Sequence, residues 1–305
     1  MKLHQLEALI ALVDAGSVRA AARRLDITQP AMTSRIVELE REVGTALVNR
    51  TSHGTSLTPA GRALFAHAKA IGHHLRRAEE EISQLTDLKI ATVSVGSSPL
   101  AAMELLAPLI DSVQTAAKRI QIQVIEGQFH EMSVALREGA LDMVIAPLPV
   151  KTESHNIYNF EQLAAYPLYV VARVGHRFEQ CTSISQIAEA HWIVGATTTL
   201  QLSTLEELYL HYHLGQPTIA VRADAVTMVQ AAVATSELLA LLPRPMFVNW
   251  KNITALQLKE PIRPMKLGLI TLAGSPLTPA AERLAVLIRA RSREVANALA
   301  LERAG

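Results

Sequence analysis

Apolar residues in the first forty positions recur at helical spacing and are interrupted by short polar breaks. Ser17 and Thr28 each precede such a run and are residue types that cap helix N-termini. Pro30 stands where the first turn of a helix accommodates proline. The apolar positions of the two predicted helices are Val18, Ala21, Ala22 and Leu25, then Met32, Ile36 and Leu39. The pattern predicts two short helices joined by a tight turn.

The second helix carries polar side chains on the face opposite its apolar residues. These positions are Gln29, Thr33, Ser34 and Arg35, and we expect them to meet DNA together with Pro30. Glutamine can bind adenine through two hydrogen bonds, arginine binds guanine or phosphate, and threonine and serine suit several base edges. The pair of helices therefore favours a helix-turn-helix that binds DNA. The alternative is an ordinary amphipathic pair with a solvated polar face.

A third apolar stripe follows the strict alternation of four-residue and three-residue steps that defines a heptad. Its members are Leu64, Ala68, Ile71, Leu75, Ala78, Ile82 and Leu85. So narrow a stripe is typical of a coiled-coil seam between two chains. The alternative is a helix packed on its own chain. A two-fold pair of chains would place two recognition helices on one duplex and predicts a palindromic operator.

Beyond residue 88 the chain alternates strand-like and helix-like runs, which indicates α/β layering. The predicted strands cover residues 90–95, 120–126, 141–146, 168–173, 192–195, 218–222, 238–242 and 266–272. The predicted helices cover residues 99–113, 131–138, 202–213, 225–234 and 278–300. Roughly 215 residues suffice for two small lobes, although periodicity alone allows a single sheet equally well.

The N-terminal segment carries a set of motifs with a known family counterpart. They are Ala21-Ala22, Leu25, Thr28-Gln29-Pro30-Ala31-Met32-Thr33, Ile36, Leu39-Glu40, Leu47-Val48-x-Arg50 and Leu57-Thr58-x-x-Gly61. Residues 1–61 closely resemble the DNA-binding domain of LysR-type transcriptional regulators, and the resemblance extends in weaker form to the C-terminus. Met32, Thr33 and Val48 replace the commoner leucine, serine and phenylalanine.

The resemblance implies three parts. A winged helix-turn-helix domain (1–58) is followed by a linker and dimerisation helix (59–88). An α/β, two-lobed effector domain (89–305) like that of periplasmic binding proteins completes the chain. Its first lobe would comprise about 89–163 and 266–305, and its second about 164–265. The wing, residues 50–56, would contact the DNA backbone through Arg50, Thr51 and His53.

Two loops between a predicted strand and a predicted helix, 96–99 and 195–199, offer hydroxyls and backbone N–H groups that attract anions. Plain helix capping is the alternative. The resemblance implies that the effector binds in a cleft between the two lobes. The expected effector-binding residues are Ser97, Ser98, Gln128, Phe129, Pro147, Thr197, Thr198, Thr227 and Met228. A small organic acid is expected as the effector. Ser97-Ser98-Pro99 and residues 236–239 resemble family members that govern breakdown of aromatic carboxylates or sulfonates.

Composition changes this picture little. The formal net charge is +1, and the first 65 residues hold eight Lys/Arg against six Asp/Glu, so DNA binding must depend on locally placed arginines and be salt-sensitive. We find no catalytic motif, and Cys181 is single, so we expect no catalytic residue, metal or cofactor. The start lacks a signal-peptide pattern, which predicts a cytoplasmic protein without a membrane partner.

The expected partners are operator DNA, a small-molecule effector, RNA polymerase and further copies of the chain, as a homotetramer of coiled-coil dimers. The competing hypothesis is a solute-binding protein or enzyme with an α/β cleft, fused to a helical leader.

Overall fold

The computed structural model describes residues 1–51, 54–85, 90–116, 120–148, 157–195 and 199–304. The chain divides into two compact units. The first comprises Met1–Lys89 with Val134–Leu141, and the second comprises Ile90–Ser133 with Asp142–Gly305.

The first unit begins with three helices and a hairpin. Its elements are α1 (Leu3–Ala15), α2 (Val18–Arg24), α3 (Gln29–Val43), β1 (Val48–Thr51), β2 (Gly54–Leu57) and α4 (Pro59–Leu85). The Ser17 hydroxyl accepts a hydrogen bond from Ala20 N at 3.2 Å, and the Thr28 hydroxyl accepts one from Ala31 N at 3.4 Å. Both predicted N-caps are therefore confirmed: Ser17 caps the start of α2, and Thr28 caps the start of α3 after the turn that joins it to α2.

The apolar faces of these helices form one small core. Met32, Ile36 and Leu39 of α3 are fully buried against α1 and α2. Since one face of α3 supplies this core, its opposite face is presented outward, as the periodicity predicts.

The second unit contains two five-stranded sheets. The first has the order β4-β3-β5-β12-β6, and the second has the order β11-β7-β10-β8-β9. The strands are β3 (Ala91–Ser97), β4 (Ile120–Glu126), β5 (Met143–Pro147), β6 (Tyr158–Tyr166), β7 (Leu168–Arg173), β8 (His191–Val194), β9 (Thr218–Arg222), β10 (Leu238–Pro243), β11 (Ile253–Ala255) and β12 (Met265–Leu272). The helices are α5 (Pro99–Ala101), α6 (Ile110–Ala116), α7 (Phe129–Arg137), α8 (Thr199–His211), α9 (Val226–Thr235) and α10 (Pro279–Ala304).

Each sheet contains a parallel core with antiparallel strands beside it. β3 pairs in parallel with β4 and β5, and β8 pairs in parallel with β9 and β10. β12 returns to the first sheet between β5 and β6, and α10 packs beside β6. The prediction that the closing strand and helix rejoin the first lobe is confirmed.

The two sheets are joined by only two stretches of chain. The chain leaves the first sheet after Tyr166 and enters the second at Leu168. It returns between Ala255 and Met265. A continuous buried core includes residues from both sheets.

The helix predicted over residues 99–113 is not regular. After α5 the backbone passes through a π segment, Ala102–Leu106, and a 3-10 turn, Ala107–Leu109, before α6. Pro108 has no N–H to donate to the carbonyl of Glu104, four residues earlier, and its ring would clash there in an α-helix. That carbonyl instead accepts a hydrogen bond from Arg291 Nε at 3.3 Å.

Among the helices of the described residues, none combines the length and the apolar character needed to cross a bilayer.

Candidate DNA interface and effector cleft

The outward face of α3 carries the predicted base-reading residues. Gln29, Pro30 and Ser34 are exposed, while Thr33 and Arg35 are half-buried. Gln29 and Thr33 lie one turn apart and so share a face, as do Pro30 and Ser34. The structure therefore brings these five residues together at the N-terminal half of one helix.

Some polar side chains of this unit already have a partner within the chain, and others do not. The Ser34 hydroxyl donates to Glu38 Oε1 at 2.9 Å, and Arg24 pairs with Asp14 at 3.1 Å. The Arg35 side chain forms no ion pair or hydrogen bond within the described part of the chain. Its guanidinium can thus meet a phosphate or a guanine without first breaking an internal bond.

A carboxylate on the inner part of α3 holds the hairpin in place. Glu40 Oε1 accepts hydrogen bonds from the backbone N–H groups of Leu47, at 2.8 Å, and Val48, at 3.1 Å. These bonds fix the start of β1, which pairs antiparallel with β2. Glu40 belongs to the Leu39-Glu40 motif, but the sequence does not indicate this role.

Hydrogen bonds of the Thr58 hydroxyl connect the end of the hairpin to the first turn of α4. The Thr58 hydroxyl donates to Ala46 O at 2.8 Å and accepts from Gly61 N at 2.9 Å. A Cβ atom at Gly61 would lie 1.9 Å from Leu47 O. Only glycine fits here, because the first turn of α4 rests directly on the backbone that precedes β1.

The hairpin itself matches the predicted wing, but its DNA contacts stay predictions. Arg50 and Thr51 belong to β1, and nothing is described of their side chains. His53 lies outside the described residues.

The N-terminus and α1 are tied to the far end of α3. Gln5 is fully buried and its amide donates to Glu42 Oε1 at 3.4 Å, while the terminal ammonium pairs with the same carboxylate. The ammonium and the Gln5 amide hold the pKa of Glu42 below its ordinary value. These contacts link the start of α1 to the end of α3.

The predicted seam on α4 divides into two parts. Ala68 is 1% exposed and Leu64 is half-buried, and both pack into the core formed by α1 to α3. For these two residues the alternative of packing within the chain is the one the structure adopts. Ile71, Leu75, Ala78 and Ile82 are exposed, and nothing is described of the Leu85 side chain.

A cleft lies in the second unit at the carboxyl ends of strands from both sheets. Its lining follows β3, β4 and β5 of the first sheet and β8, β9 and β10 of the second. Ligands of open α/β sheets bind at this edge. The lining residues are Ser98, Pro99, Leu100, Gln128, Pro147, Gly195, Ala223, Asp224, Val226, Val229, Leu242, Pro243, Met246 and Met265.

Three predicted effector-binding residues line this cleft, namely Ser98, Gln128 and Pro147. The structure places four others outside the described lining. Ser97 is fully buried and its hydroxyl donates to Ser98 O at 3.0 Å. Thr227 and Met228 are exposed on α9, where Val226 and Val229 face the cleft instead.

The fourth is Phe129, which belongs to an aromatic cluster. Its ring lies 5.4 Å from that of Tyr158 and 6.1 Å from that of Phe160, both edge-on. Thr197 and Thr198 lie outside the described residues. Asp224, Met246 and Met265 were not predicted, since none of them belongs to a recognisable motif.

At the first loop, the N–H and the hydroxyl of Ser98 are engaged within the chain, and anion binding there stays a prediction. Ser98 N donates to Ile145 O at 2.8 Å, and the Ser98 hydroxyl caps α5 by accepting from Ala101 N at 3.4 Å. Among the described residues, no group of His, Cys, Asp and Glu is placed to hold a metal ion.

Comparison with known protein families covers nearly the whole chain. Residues 3–62 match the bacterial regulatory helix-turn-helix protein family of LysR type, and residues 87–293 match the LysR substrate binding domain. The protein belongs to the LysR family. Its family membership agrees with the resemblance found in the sequence motifs.

Individual LysR relatives are distant but extensive. The transcriptional regulator GbpR of Azospirillum brasilense is 24% identical over 298 residues, which is 96% of this chain and 87% of that protein. The SDS degradation transcriptional activation protein of Pseudomonas sp. (strain ATCC 19151) is 25% identical over 296 residues, which is 94% of this chain and 95% of that protein.

The solved structures of LysR regulators share the fold. CbnR in complex with its target DNA superposes with a TM-score of 0.71 at 18% identity, covering 95% of this chain and all of CbnR. This LysR protein is therefore a transcriptional regulator with a DNA-binding helix-turn-helix domain and an effector-binding domain. Its relatives are regulators and not enzymes, so the hypothesis of an enzyme or solute-binding protein with a helical leader is set aside.

Proposed function

We propose that Gln29, Thr33, Ser34 and Arg35 read the operator in the major groove, with Pro30 shaping the start of the helix. The observation that carries this proposal is the division of α3 into one fully buried face and one outward polar face. The outward side chains are of the types that contact base edges. The wing would contact the DNA backbone beside the site that α3 reads, through Arg50, Thr51 and His53.

Two copies of the chain pair through the exposed part of the α4 stripe, and pairs of dimers form a homotetramer. The support is that the apolar side chains of Ile71, Leu75 and Ile82 are 41%, 40% and 63% exposed in the single chain. Burial of apolar residues at heptad spacing against a second helix stabilises the pair of helices.

A small molecule in the cleft biases the effector domains toward one arrangement, and this alters DNA bending and the contact with RNA polymerase. Such an effector must bind one arrangement better than the other. The family is one of bacterial regulators, and since bacterial DNA lies in the cytoplasm, we place the action of this protein there. The predicted carboxylate or sulfonate group of the effector has no cationic partner in the described cleft lining.

The test is DNase footprinting of the full chain on the DNA upstream of its own gene, at several salt concentrations. We expect a two-fold symmetric footprint whose affinity falls with salt. Gln29→Ala should lower operator affinity by about 5-fold to 150-fold, since one good base contact contributes roughly 1–3 kcal/mol.

Arg41→Ala is the matched control, since Arg41 is exposed in the last turn of α3, away from the proposed reading residues. It should leave the footprint unchanged. If Gln29→Ala keeps both the affinity and the sequence preference of the wild type, α3 does not read the operator as proposed.

A further inference from the structure

A second pocket in the unit of the two sheets is separate from the effector cleft. It is formed by the π segment before α6, by the turn that follows β10 and by the second half of α10. We call it the α10 pocket. Its described lining residues are Glu104, Arg244, Pro245, Val248, Arg291, Glu294, Val295, Ala298 and Leu299. The described linings of the pocket and of the effector cleft share no residue.

Arg291 offers this pocket a positive group that is only partly used within the chain. Its Nε donates to Glu104 O at 3.3 Å, and its Nη1 donates to Glu294 Oε2 at 3.0 Å. Its Nη2 has no partner within the described part of the chain. Since the Glu294 side chain is 68% exposed, the pair that it forms with Arg291 contributes little to stability. Arg291 can therefore bind the carboxylate of a ligand.

Glu104 offers a negative group beside Arg291. It belongs to the π segment Ala102–Leu106, and short π segments within helices occur frequently at functional sites. Its carboxylate forms no hydrogen bond or ion pair with any residue that the structure describes. Burial raises the pKa of this carboxyl, while the charge of Arg291 opposes the rise. The ammonium group of a ligand would replace the hydrogen bonds that the carboxylate loses on burial.

A buried hydroxyl near these two charges also has unused hydrogen-bonding capacity. Tyr166 is fully buried, and its Oη has no hydrogen-bond partner among the described residues. Burial raises the pKa of this hydroxyl, the charge of Glu104 raises it further, and the charge of Arg291 lowers it. Because nearly all buried polar groups in native proteins are hydrogen-bonded, an exception indicates a place where a further polar group binds.

We propose that the α10 pocket binds a free α-amino acid with an apolar side chain. The Glu104 carboxylate accepts N–H groups of the ligand ammonium, and Arg291 donates to the ligand carboxylate. An α-amino acid carries both charged groups on one carbon atom, which suits two protein residues that are themselves in contact. Pro245, Val248 and Leu299 cover the apolar side chain. The carboxylate is assigned to Arg291, since Arg244 already has an interaction within the chain.

The pocket connects elements of both sheets and has room for such a ligand. Glu104 lies between β3 and β4 of the first sheet, whereas Pro245 and Val248 follow β10 of the second. The cavity of about 270 Å³ accommodates a ligand of about ten non-hydrogen atoms. An amino acid that binds one arrangement of the sheets better than another shifts the population toward it. This inference goes beyond the proposed function, because it adds a second ligand to the effector of the cleft.

The test compares L-leucine with two molecules that each lack one of its charged groups. Isoamylamine has no carboxylate, and isocaproate has no ammonium. We expect leucine to bind the full chain at least about tenfold tighter than either molecule, because each of them loses one charge-assisted contact. Ligand-observed saturation-transfer NMR titrations measure the three affinities.

Variants of the same protein locate the effect. Glu104→Gln should reduce the preference for leucine over isocaproate to about one, since the ammonium loses its ionic partner. Arg291→Gln should likewise reduce the preference for leucine over isoamylamine to about one, since the carboxylate loses its partner. Arg293→Gln is the matched control, because Arg293 is exposed on α10 outside the described lining. It should preserve the wild-type order.

The affinities of the wild type decide the proposal even if a variant fails to fold. The absence of leucine binding overturns it, as does binding of isocaproate or isoamylamine as tight as that of leucine. Leucine binding that is lost in Gln128→Ala but kept in Glu104→Gln and Arg291→Gln would place leucine in the effector cleft and also overturn the proposal. These titrations contain no DNA, so the footprint of the unliganded protein tests the regulator proposal separately.

Discussion

At the scale of single residues, a side chain outside the proposed reading face holds the hairpin in place. Glu40 is the clearest case, since one carboxylate oxygen accepts two backbone N–H groups where the wing begins. A carboxylate that accepts several N–H bonds stabilises more than a neutral acceptor does. The geometry of the wing is thus set from within α3.

Glu40→Gln is expected to lower the free energy of unfolding of the first unit by about 1–3 kcal/mol, because the charge-assisted bonds to Leu47 and Val48 become neutral or are lost. Urea unfolding followed by circular dichroism measures the change. Glu38→Gln is the matched control on the same helix, where the carboxylate accepts only the exposed Ser34 hydroxyl. It should change stability by less than about 0.5 kcal/mol. Equal effects of the two substitutions would contradict the role of Glu40.

The sequence predicted the helix-capping residues correctly but did not predict every residue that lines the cleft, for a physical reason. Ser17 and Thr28 were predicted correctly, since capping depends on local sequence alone. The place of Asp224 in the cleft lining could not be predicted, because the other residues that line the cleft, such as Ser98 and Gln128, lie far away in sequence.

At the scale of elements, α4 has two roles along its length. Its first turns complete the core of the first unit through Leu64 and Ala68, and its later turns leave apolar side chains exposed. A heptad pattern cannot separate these two roles, because packing on α1 and packing on a second α4 require the same spacing.

Leu75→Lys should raise the dissociation constant of the dimer by at least about 100-fold, since an unpaired charge buried in a helix seam costs several kcal/mol. Sedimentation velocity over a concentration series measures this. His74→Lys adds the same charge at the neighbouring exposed position, off the stripe, and serves as the control. Dissociation by both substitutions, or by neither, would be inconsistent with a seam at Leu75.

Strand prediction succeeded for β7 and β9, which match their predicted bounds to the residue. It missed β6. In β6 a bulge lies opposite Leu267 and Gly268, which pair with Ala164 and Gln162 and leave Leu163 out of the register. A similar shift in β9 did not prevent its prediction, but in β6 the bulge adjoins two consecutive exposed polar residues, Glu161 and Gln162, which are not typical of a strand.

At the scale of the whole molecule, the chain has separate hydrophobic cores. The core of α1 to α4 shares no residue with the cores of the second unit. Two-state unfolding is not expected of such a chain.

Differential scanning calorimetry of the full chain should therefore show two transitions. Glu40→Gln should lower the midpoint of only one of them, by about 4–8 °C per kcal/mol for a unit of this size. Val286→Ala, at an exposed position on α10, should move neither midpoint by more than about 2 °C. A single transition that shifts as a whole would show that the units unfold together.

The two stretches that join the sheets, at Pro167 and between Ala255 and Met265, bear on the energetics of sensing. Two tethers define a line, and rotation about that line is the deformation that strains the backbone least. Other relative movements of the sheets would strain the backbone of at least one of these two connections. A ligand that binds between the sheets would therefore favour mainly one movement, the rotation of one sheet relative to the other about that line. Its binding free energy would shift the population along this rotation and would contribute little to other movements.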